Sequence, residues 1–424
     1  MDAPRGRVEP LDCPPNSLLL VTHVPLRRAQ GALYLDDQTC QGLERWSQSF
    51  ETITFMGLEE DPDPKRADGA GATTAWRCVE TLRCASRLSV RALPNAYRVR
   101  PFASHYLRTR RVLAHAVRTH RYLCFTLGSL VGDWGGIAAL ESARQNRAHA
   151  VWFDRVEHEV IRRTSQGARL RRRIKNTLVL PLMIGYHRRL IARSTLGLFQ
   201  GQDTFGTYAP YSRLPCCVYD THTTREDGIS PAALEDKCAA IRRNEPLRVV
   251  YVGRATAMKG ALDWVDALHA ARHRGARFTA TWWGDGPQWA AMRERVAELD
   301  LADCVELPGF EDDRARLLAA VREADLFVFC HRTPESPRCL IEALVCGAPI
   351  VGYGSRYAED LVARDGGGRL CPADDPSALA DLIVEVDRHR DRLCNLVRAA
   401  ARTGDRFDEE TVYRERAHLL RRHL

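Results

Sequence analysis

Short apolar, β-branched runs alternate with segments of helical period through the back half of this 424-residue chain. Leu247–Gly253 (LRVVYVG) ends in glycine and predicts a buried parallel strand. From about Lys259 to Gly275 the apolar residues return at helical spacing. Phe278–Trp283 (FTATWW) predicts the next strand, closed by the turn Gly284-Asp285-Gly286-Pro287, and a helix runs on through Glu298. Cys304–Leu307 is a short strand, Arg314–Arg322 a helix, Asp325–Cys330 a strand, Pro337–Cys346 a helix and Ala348–Tyr353 a strand. This β-α-β-α order implies a parallel sheet with helices on both faces.

The front half alternates less cleanly. Ser17–Thr22, Thr52–Met56, Leu123–Leu127, Ala150–Phe153 and Leu196–Gln200 predict strands, and Gly42–Phe50 a helix. Trp134-Gly135-Gly136 is expected to be a tight structural loop. Pro215–Pro246, with a helix over Pro231–Arg242, is expected to join the halves. The pattern predicts two doubly wound α/β domains facing a cleft, residues 1–222 and 223–404, and a last helix over 405–424. Length agrees, because 424 residues exceed one compact core.

Composition excludes some classes. Apolar residues make up 45% and charged residues 27%, a globular profile. The start, MDAPRGRVEP, holds no apolar leader segment. Thr177–Tyr186 (TLVLPLMIGY) is the most apolar run, short of the ~20 residues of a membrane span. The 14 cysteines form no C-x-x-C pair; Cys124, Cys330, Cys346 and the vicinal Cys216-Cys217 read as reduced packing residues. No metal-ligand motif occurs.

Charge is placed unevenly. Residues 1–240 carry a net +10 and residues 241–424 a net −2. Thr81–Gly132 and Val160–Gln202 contain no carboxylate. The second segment holds Arg162, Arg163, Arg169, Arg171, Arg172, Arg173, Lys175, Arg188, Arg189 and Arg193 around the apolar decapeptide. The pattern reads either as a solvated helix face or as a surface for phosphates on an anionic membrane or lipid carrier. Nucleic acid is disfavoured, because no aromatics interleave with the arginines.

One stretch carries candidate chemistry: HRTPESPRCLIEALVCGAPIVGYGS, residues 331–355. Ser336-Pro337 predicts a helix start, with serine as cap, and Gly347 with Pro349 predicts its end. Glu335 falls in the loop before that helix and Glu342 inside it, ~7.5 Å along the axis at helical rise. The two carboxylates would grip two parts of one extended ligand, such as sugar and ribose hydroxyls. The free N–H groups at the helix start suit an anion. Arg254 and Lys259, after the Leu247–Gly253 strand, are placed to clamp a diphosphate; the loop lacks Walker A spacing.

The segments VGRATAMKG, WWGDGP, LPGF, ADLFVFC and ESPRCLIEALVCGAPIVGY, in this order, resemble the retaining GT-B glycosyltransferases of family 4 over residues 247 to about 390. The resemblance implies two Rossmann-like domains, the last helix (405–424) crossing back to the front one, a nucleotide-sugar donor and no catalytic metal or other cofactor. By it, Gly253, Arg254 and Lys259 hold the diphosphate, Glu342 the ribose, and Gly309-Phe310 lies near the base. Glu335, with Ser336, Pro337, Arg338, Cys339 and Leu340, holds the sugar and leaving phosphate. The family pattern is E-x7-E, whereas Glu335 and Glu342 are separated by six residues, which puts Pro334 at the first glutamate's place. Asp154 and His158, after the fourth front strand, are the front-domain candidates for touching the sugar, and His23 lies where an acceptor could sit.

The resemblance implies a hexosyltransferase acting on a saccharide or lipid-linked acceptor of the cell envelope, in the cytoplasm or at the inner face of the plasma membrane. The alternatives are a nucleotide-sugar-binding relic, with the altered glutamate spacing as its lesion, and a nucleotide-sugar epimerase.

Overall fold

A computed structural model describes residues 14–60, 75–164 and 170–424, with the backbone alone described over 164 and 170–176. The sequence start and Arg169 lie outside the described residues, as do the side chains of Arg171, Arg172, Arg173 and Lys175.

The front sheet contains β1 (Ser17–Ala29), β2 (Ala32–Asp36), β3 (Thr52–Glu59), β4 (Trp76–Cys78), β5 (Leu88–Leu93), β6 (Tyr122–Thr126), β7 (Ala150–Phe153), β8 (Leu196–Gln200) and β9 (Pro215–Val218). Its helices are α1 (Asp37–Trp46), α2 (Val99–Thr119), α3 (Trp134–Arg144), α4 (Glu157–Thr164), α5 (Leu170–Arg193) and α6 (Gly201–Tyr208). Parallel pairing joins β5, β3, β1, β6, β7, β8 and β9 in that order, while the last three residues of β1, Arg27–Ala29, form an antiparallel hairpin with β2.

The back sheet is wholly parallel, in the order β12 (Val305–Gly309), β11 (Phe278–Trp283), β10 (Leu247–Val252), β13 (Leu326–Phe329), β14 (Ile350–Tyr353), β15 (Gly368–Cys371). Its chain supplies α7 (Pro231–Arg242), α8 (Ala261–His273), α9 (Trp289–Glu298), α10 (Arg314–Glu323), α11 (Arg338–Val345), α12 (Arg356–Ala363), α13 (Pro376–Arg388) and α14 (Arg390–Gly404). The strand order reverses beside β10, which opens a crevice at the strand C-termini.

The last helix, α15 (Glu409–His423), returns to the front sheet, where Tyr413, Ala417 and Leu420 join the core of Leu18, Leu20, Trp46 and Leu198. The opposite face of that sheet is covered by α2, α3 and α5 through Leu113, Val117, Trp134, Leu190 and Ile191.

Several local expectations are corrected. Trp134-Gly135-Gly136 is the first turn of α3, because Asp133 caps it by accepting from the Gly136 N–H at 3.0 Å. The first helix is shifted to Asp37–Trp46, since Asp36 accepts from the Thr39 N–H at 2.9 Å and starts it earlier. Pro215–Val218 is an edge strand on β8 rather than linker. Thr177–Tyr186 lies within the single helix α5, Pro181 included. The described cysteines are all free thiols.

Candidate functional site

The residues expected to hold a donor come together where three loops of the back sheet meet. The Gly253 N–H donates to the Trp283 carbonyl at 2.9 Å, Ala255 N–H to Asp285 at 2.8 Å, and Gly284 N–H to Gly309 at 2.7 Å. These bonds tie together the loops after β10, β11 and β12. Gly260, at φ +63°, allows α8 to start against β13; a Cβ there would stand 2.2 Å from the Cys330 carbonyl oxygen. No L side chain fits that contact without moving backbone. The Arg332 N–H then donates to the Met258 carbonyl at 2.8 Å and zips the loop after β10 to the loop after β13.

That zipper brings two predicted residues together. Lys259 Nζ donates to Glu335 Oε1 at 2.8 Å, and the Thr333 hydroxyl supports the same oxygen at 3.3 Å. Both partners are largely buried, with side chains 18% and 15% exposed. Glu342 sits on α11, two turns further along, half-buried and 3.5 Å from an Arg314 nitrogen. Arg254 stands exposed at the mouth of the crevice, and Phe310 is 47% exposed beyond Gly309. The Cys339 thiol is pushed up to about 12 by burial, so it is no nucleophile at neutral pH.

Ser336 and Pro337 differ from expectation. α11 begins at Arg338, and the position before it is Pro337, whose side chain has no hydroxyl to cap it. The Ser336 hydroxyl instead donates across the domain boundary to the Gln200 carbonyl at 2.5 Å. Arg338 also reaches to the front domain: it donates to Gln38 Oε1 at 2.5 Å and to His222 Nε2, and lies 3.6 Å from Asp220. Its side chain joins the domains, while Cys339 and Leu340 remain in the first turn of α11.

The front domain meets this loop directly. Arg155, just after β7, forms an antiparallel bridge with Glu335. Asp154 therefore lies across the cleft from the donor loop. It lines a cavity of about 460 Å³ together with His23, Trp46, Trp152, Glu335 and Arg338, and a second of about 290 Å³ with His23 and Asp133. Asp154 is exposed on the cavity wall; the protein packed around it still desolvates the carboxyl enough to push it up, and the His23 charge pulls against that. His158 is placed elsewhere. It lies on α4, with Nδ1 3.4 Å from the Tyr208 hydroxyl among Phe153 and His187, and burial lowers its pKa. It is not among the residues lining the two cavities beside Asp154.

Sequence reasoning missed the residues that close this front wall. Asp133 is buried and pushed up by burial, while accepting from the Gly128 and Gly136 N–H groups. Asp220 is pushed up by burial but held below the usual carboxylate range by Arg416 and Arg338. Arg416, 1% exposed, lies 3.0 Å from Asp220 and over the Trp152 ring. An aspartate before Trp-Gly-Gly could have been read as a cap. Nothing local marks Arg416, in a helix rich in arginine.

Two facing doubly wound domains with the donor loops at their cleft define the GT-B architecture. Solved structures with this fold match nearly the whole chain: Anabaena Alr3699/HepE in complex with UDP has a TM-score of 0.66 and 17% identity, over 96% of this chain and 100% of that one. Sucrose-phosphate synthase from Thermosynechococcus elongatus has a TM-score of 0.65 and 15% identity, over 96% and 98%. Within that architecture, residues 246–388 match the family model described as Glycosyl transferases group 1. The amylovoran biosynthesis glycosyltransferase AmsK of Erwinia amylovora is 29% identical over 186 residues, 42% of this chain and 46% of that protein. The putative colanic acid biosynthesis glycosyltransferase WcaL of Escherichia coli K12 is 30% identical over 183 residues, 41% and 45%. The chain thus spans under half the length of these curated relatives.

Proposed function

We propose that this chain is a glycosyltransferase that moves a hexosyl group from a nucleoside diphosphate sugar to a saccharide or lipid-linked saccharide, with retention. The observation that carries the reading is the Lys259–Glu335 pair at the strand ends, beside the N-terminus of α11 and two turns before Glu342. A cation, free N–H groups and two spaced carboxylates match a diphosphate, a sugar and a ribose in that order. The family model over residues 246–388 supports it.

In this reading the bond from the sugar anomeric carbon to the phosphate oxygen breaks, and the bond from that carbon to the acceptor oxygen forms on the same face. The acceptor proton passes to the departing phosphate oxygen. Arg254, Lys259 and the α11 N–H groups stabilise the charge that develops on the diphosphate. Lys259 exchanges Glu335 for phosphate, which frees Glu335 for sugar hydroxyls. Glu342 holds the ribose, and Asp154 meets the sugar or acceptor from the front. The reading assigns no metal or other cofactor.

The relatives' names place them in amylovoran and colanic acid biosynthesis, and we assign this chain to a comparable cell-envelope polysaccharide route in the cytoplasm. Among the described residues no helix is long and apolar enough to cross a membrane. A peripheral contact is supported by the exposed apolar residues Tyr97, Val99, Leu107, Leu178 and Leu182. All five fall in the two carboxylate-free segments, the second containing the Arg162–Arg193 region. Co-sedimentation should rise from neutral to anionic vesicles and fall in Leu178→Glu/Leu182→Glu; equal binding to both vesicles would refute the contact.

The first test is a melting-temperature panel with UDP-, GDP-, ADP- and dTDP-sugars on wild type and Glu342→Ala. One nucleotide class should stabilise the wild type, and the variant should lose that gain. Consumption of the same donor with an acceptor present separates a transferase from a binding relic, and isomerisation without acceptor would mark an epimerase.

A further inference from the structure

Both domains hold Glu335, and they hold different parts of it. Its carboxylate is held by the back domain, through Lys259 Nζ at 2.8 Å and the Thr333 hydroxyl at 3.3 Å. Its main chain is held by the front domain. On one side the Pro334 carbonyl accepts from the Val156 N–H at 3.5 Å, and Arg155 forms the antiparallel bridge with Glu335 itself. On the other side the Ser336 hydroxyl donates to the Gln200 carbonyl at 2.5 Å, at the end of β8. The 3.5 Å contact is at the long limit for a hydrogen bond, so the Ser336 tie is the firmer of the two.

That tie is fitted on both sides. Ser336 is 8% exposed, and α11 does not use its hydroxyl as a cap. It faces Gly201, the first residue of α6, at φ +71°. A Cβ at Gly201 would stand 2.4 Å from the Ser336 hydroxyl oxygen and 2.4 Å from the Tyr357 ring. Glycine therefore makes the room through which the hydroxyl reaches β8, and it adopts that backbone freely. The same end of α6 is pinned a second time. The buried Asp203 carboxylate accepts from the Tyr357 N–H at 3.1 Å, in the first turn of α12. The β8 end is thus a fixed point for the donor loop.

In the reaction proposed above, Lys259 leaves Glu335 for phosphate. The carboxylate then loses its charged partner at the step where it has to meet the sugar. What still fixes it is the main chain, which the front domain holds. Misplacing a reacting contact by about 1 Å is enough to slow a reaction steeply.

We propose that Ser336 is a positioning residue: by tying the donor loop to the Gln200 carbonyl, its hydroxyl sets the freed Glu335 carboxylate against the donor sugar. The proposal rests on the transferase reading and adds to it a side chain that acts through Glu335. It also gives the short spacing between Glu335 and Glu342 a physical counterpart, a loop seated by the other domain.

The test is single-turnover release of nucleoside diphosphate from UDP-, GDP-, ADP- or dTDP-glucose, whichever stabilises the wild type. It compares wild type, Ser336→Ala, Glu335→Ala and the double variant as full chains. Ser336→Ala removes one oxygen, and its melt should stay cooperative. It should lower the rate about tenfold, the scale of one neutral hydrogen bond, with the Kd of the free nucleoside diphosphate within about twofold of wild type. Gly201→Ala, which presses a methyl group onto the same oxygen from the front domain, should lower the rate as well. In the Glu335→Ala background the Ser336 change should cost less than about twofold, because no carboxylate is left to position. An unchanged rate in either single variant at Ser336 or Gly201, equal losses in the two backgrounds, or nucleoside diphosphate binding that weakens in step with the rate would overturn the proposal. Any of these beside wild-type turnover removes this inference and leaves the transferase reading. No turnover of any of the four donors by wild type removes the transferase reading, and this inference with it.

Discussion

The two domains share one architecture but encode their halves of the site differently. In the back domain the residues we assign to the donor run from Gly253 to Glu342, each at a strand end or in the helix that follows. A short run of sequence decides both the geometry and the chemistry. In the front domain the cavity takes His23, Asp154, Asp220 and Tyr413, gathered from the first strand, the middle of the sheet and the returning last helix. A nucleoside diphosphate is one fixed object, and a loop–helix unit can read it. An acceptor is read by a surface that tertiary packing assembles, so it leaves no local signature.

The sharpest way to break this comparison is Lys259→Ala. It removes the cation we assign to the diphosphate and leaves Glu335 largely buried without its partner. Donor turnover is expected to fall about 100-fold or more, the scale of one lost charge stabiliser, with glycoside binding in the front cavity retained. Single-turnover kinetics with the donor, beside a titration with methyl glucoside, checks both halves. Loss of glycoside binding in this variant would mean that the two half-sites are one unit.

Arg416→Met probes the front domain in the same spirit. The guanidinium is 1% exposed and pairs with Asp220 on one side while it packs over Trp152 and Tyr413. Its removal leaves the partly buried Asp220 with only Arg338 at 3.6 Å, which costs on the order of 1–3 kcal/mol. The matched control is Arg398→Met, which breaks an exposed pair with Glu235 at 2.8 Å in the back domain. Urea denaturation should show a large loss for the first and no measurable change for the second. Equal effects would mean that α15 does not hold the front domain.

The back domain was legible because each of its strands is a short apolar run ended by a turn, and helix follows strand without insertion. The predicted Leu247–Gly253, Phe278–Trp283 and Ala348–Tyr353 agree with β10, β11 and β14 within a residue or two. The front domain was harder for physical reasons. β1 runs to Ala29 because it keeps its parallel pairing with β3 past a bulge to Leu26 and then passes into a hairpin, which no period-2 pattern announces. α2 was not foreseen, since its exposed face carries Arg108, Arg111 and Arg118 with Leu107 among them and blurs the amphipathic stripe. Within the site, Lys259 and Glu335 were each legible as residues near an anion. That they answer one another was not, because the contact depends on the close approach at Gly260.

The smallest effect concerns the back domain's own long-range contact, and it sets a limit on how local that domain is. Lys237 on α7 is 6% exposed and donates to the Gly347 carbonyl at 3.0 Å, 110 residues away. Burial lowers its pKa from 10.5 to about 8, with Asp325 pulling the other way. The sign follows from proton counting. Below about pH 8 both states hold the proton and the folded state bears the full desolvation cost. Between about 8 and 10.5 the unfolded chain binds more protons, so this group's contribution to stability rises with pH; above 10.5 the cost is gone. That cost is on the order of 3 kcal/mol, and the hydrogen bond to Gly347 returns ~1 of it. Lys237→Met should therefore be more stable than wild type at pH 7 by ~1–2 kcal/mol. The lead should shrink steadily towards pH 9.5, while the raised thiol and tyrosine groups elsewhere cancel in the difference. Melting temperatures of the pair at three pH values decide it. A lead that does not shrink would mean that the ammonium is paid for by Asp325 and Gly347, and that this contact was selected for strength rather than tolerated for packing.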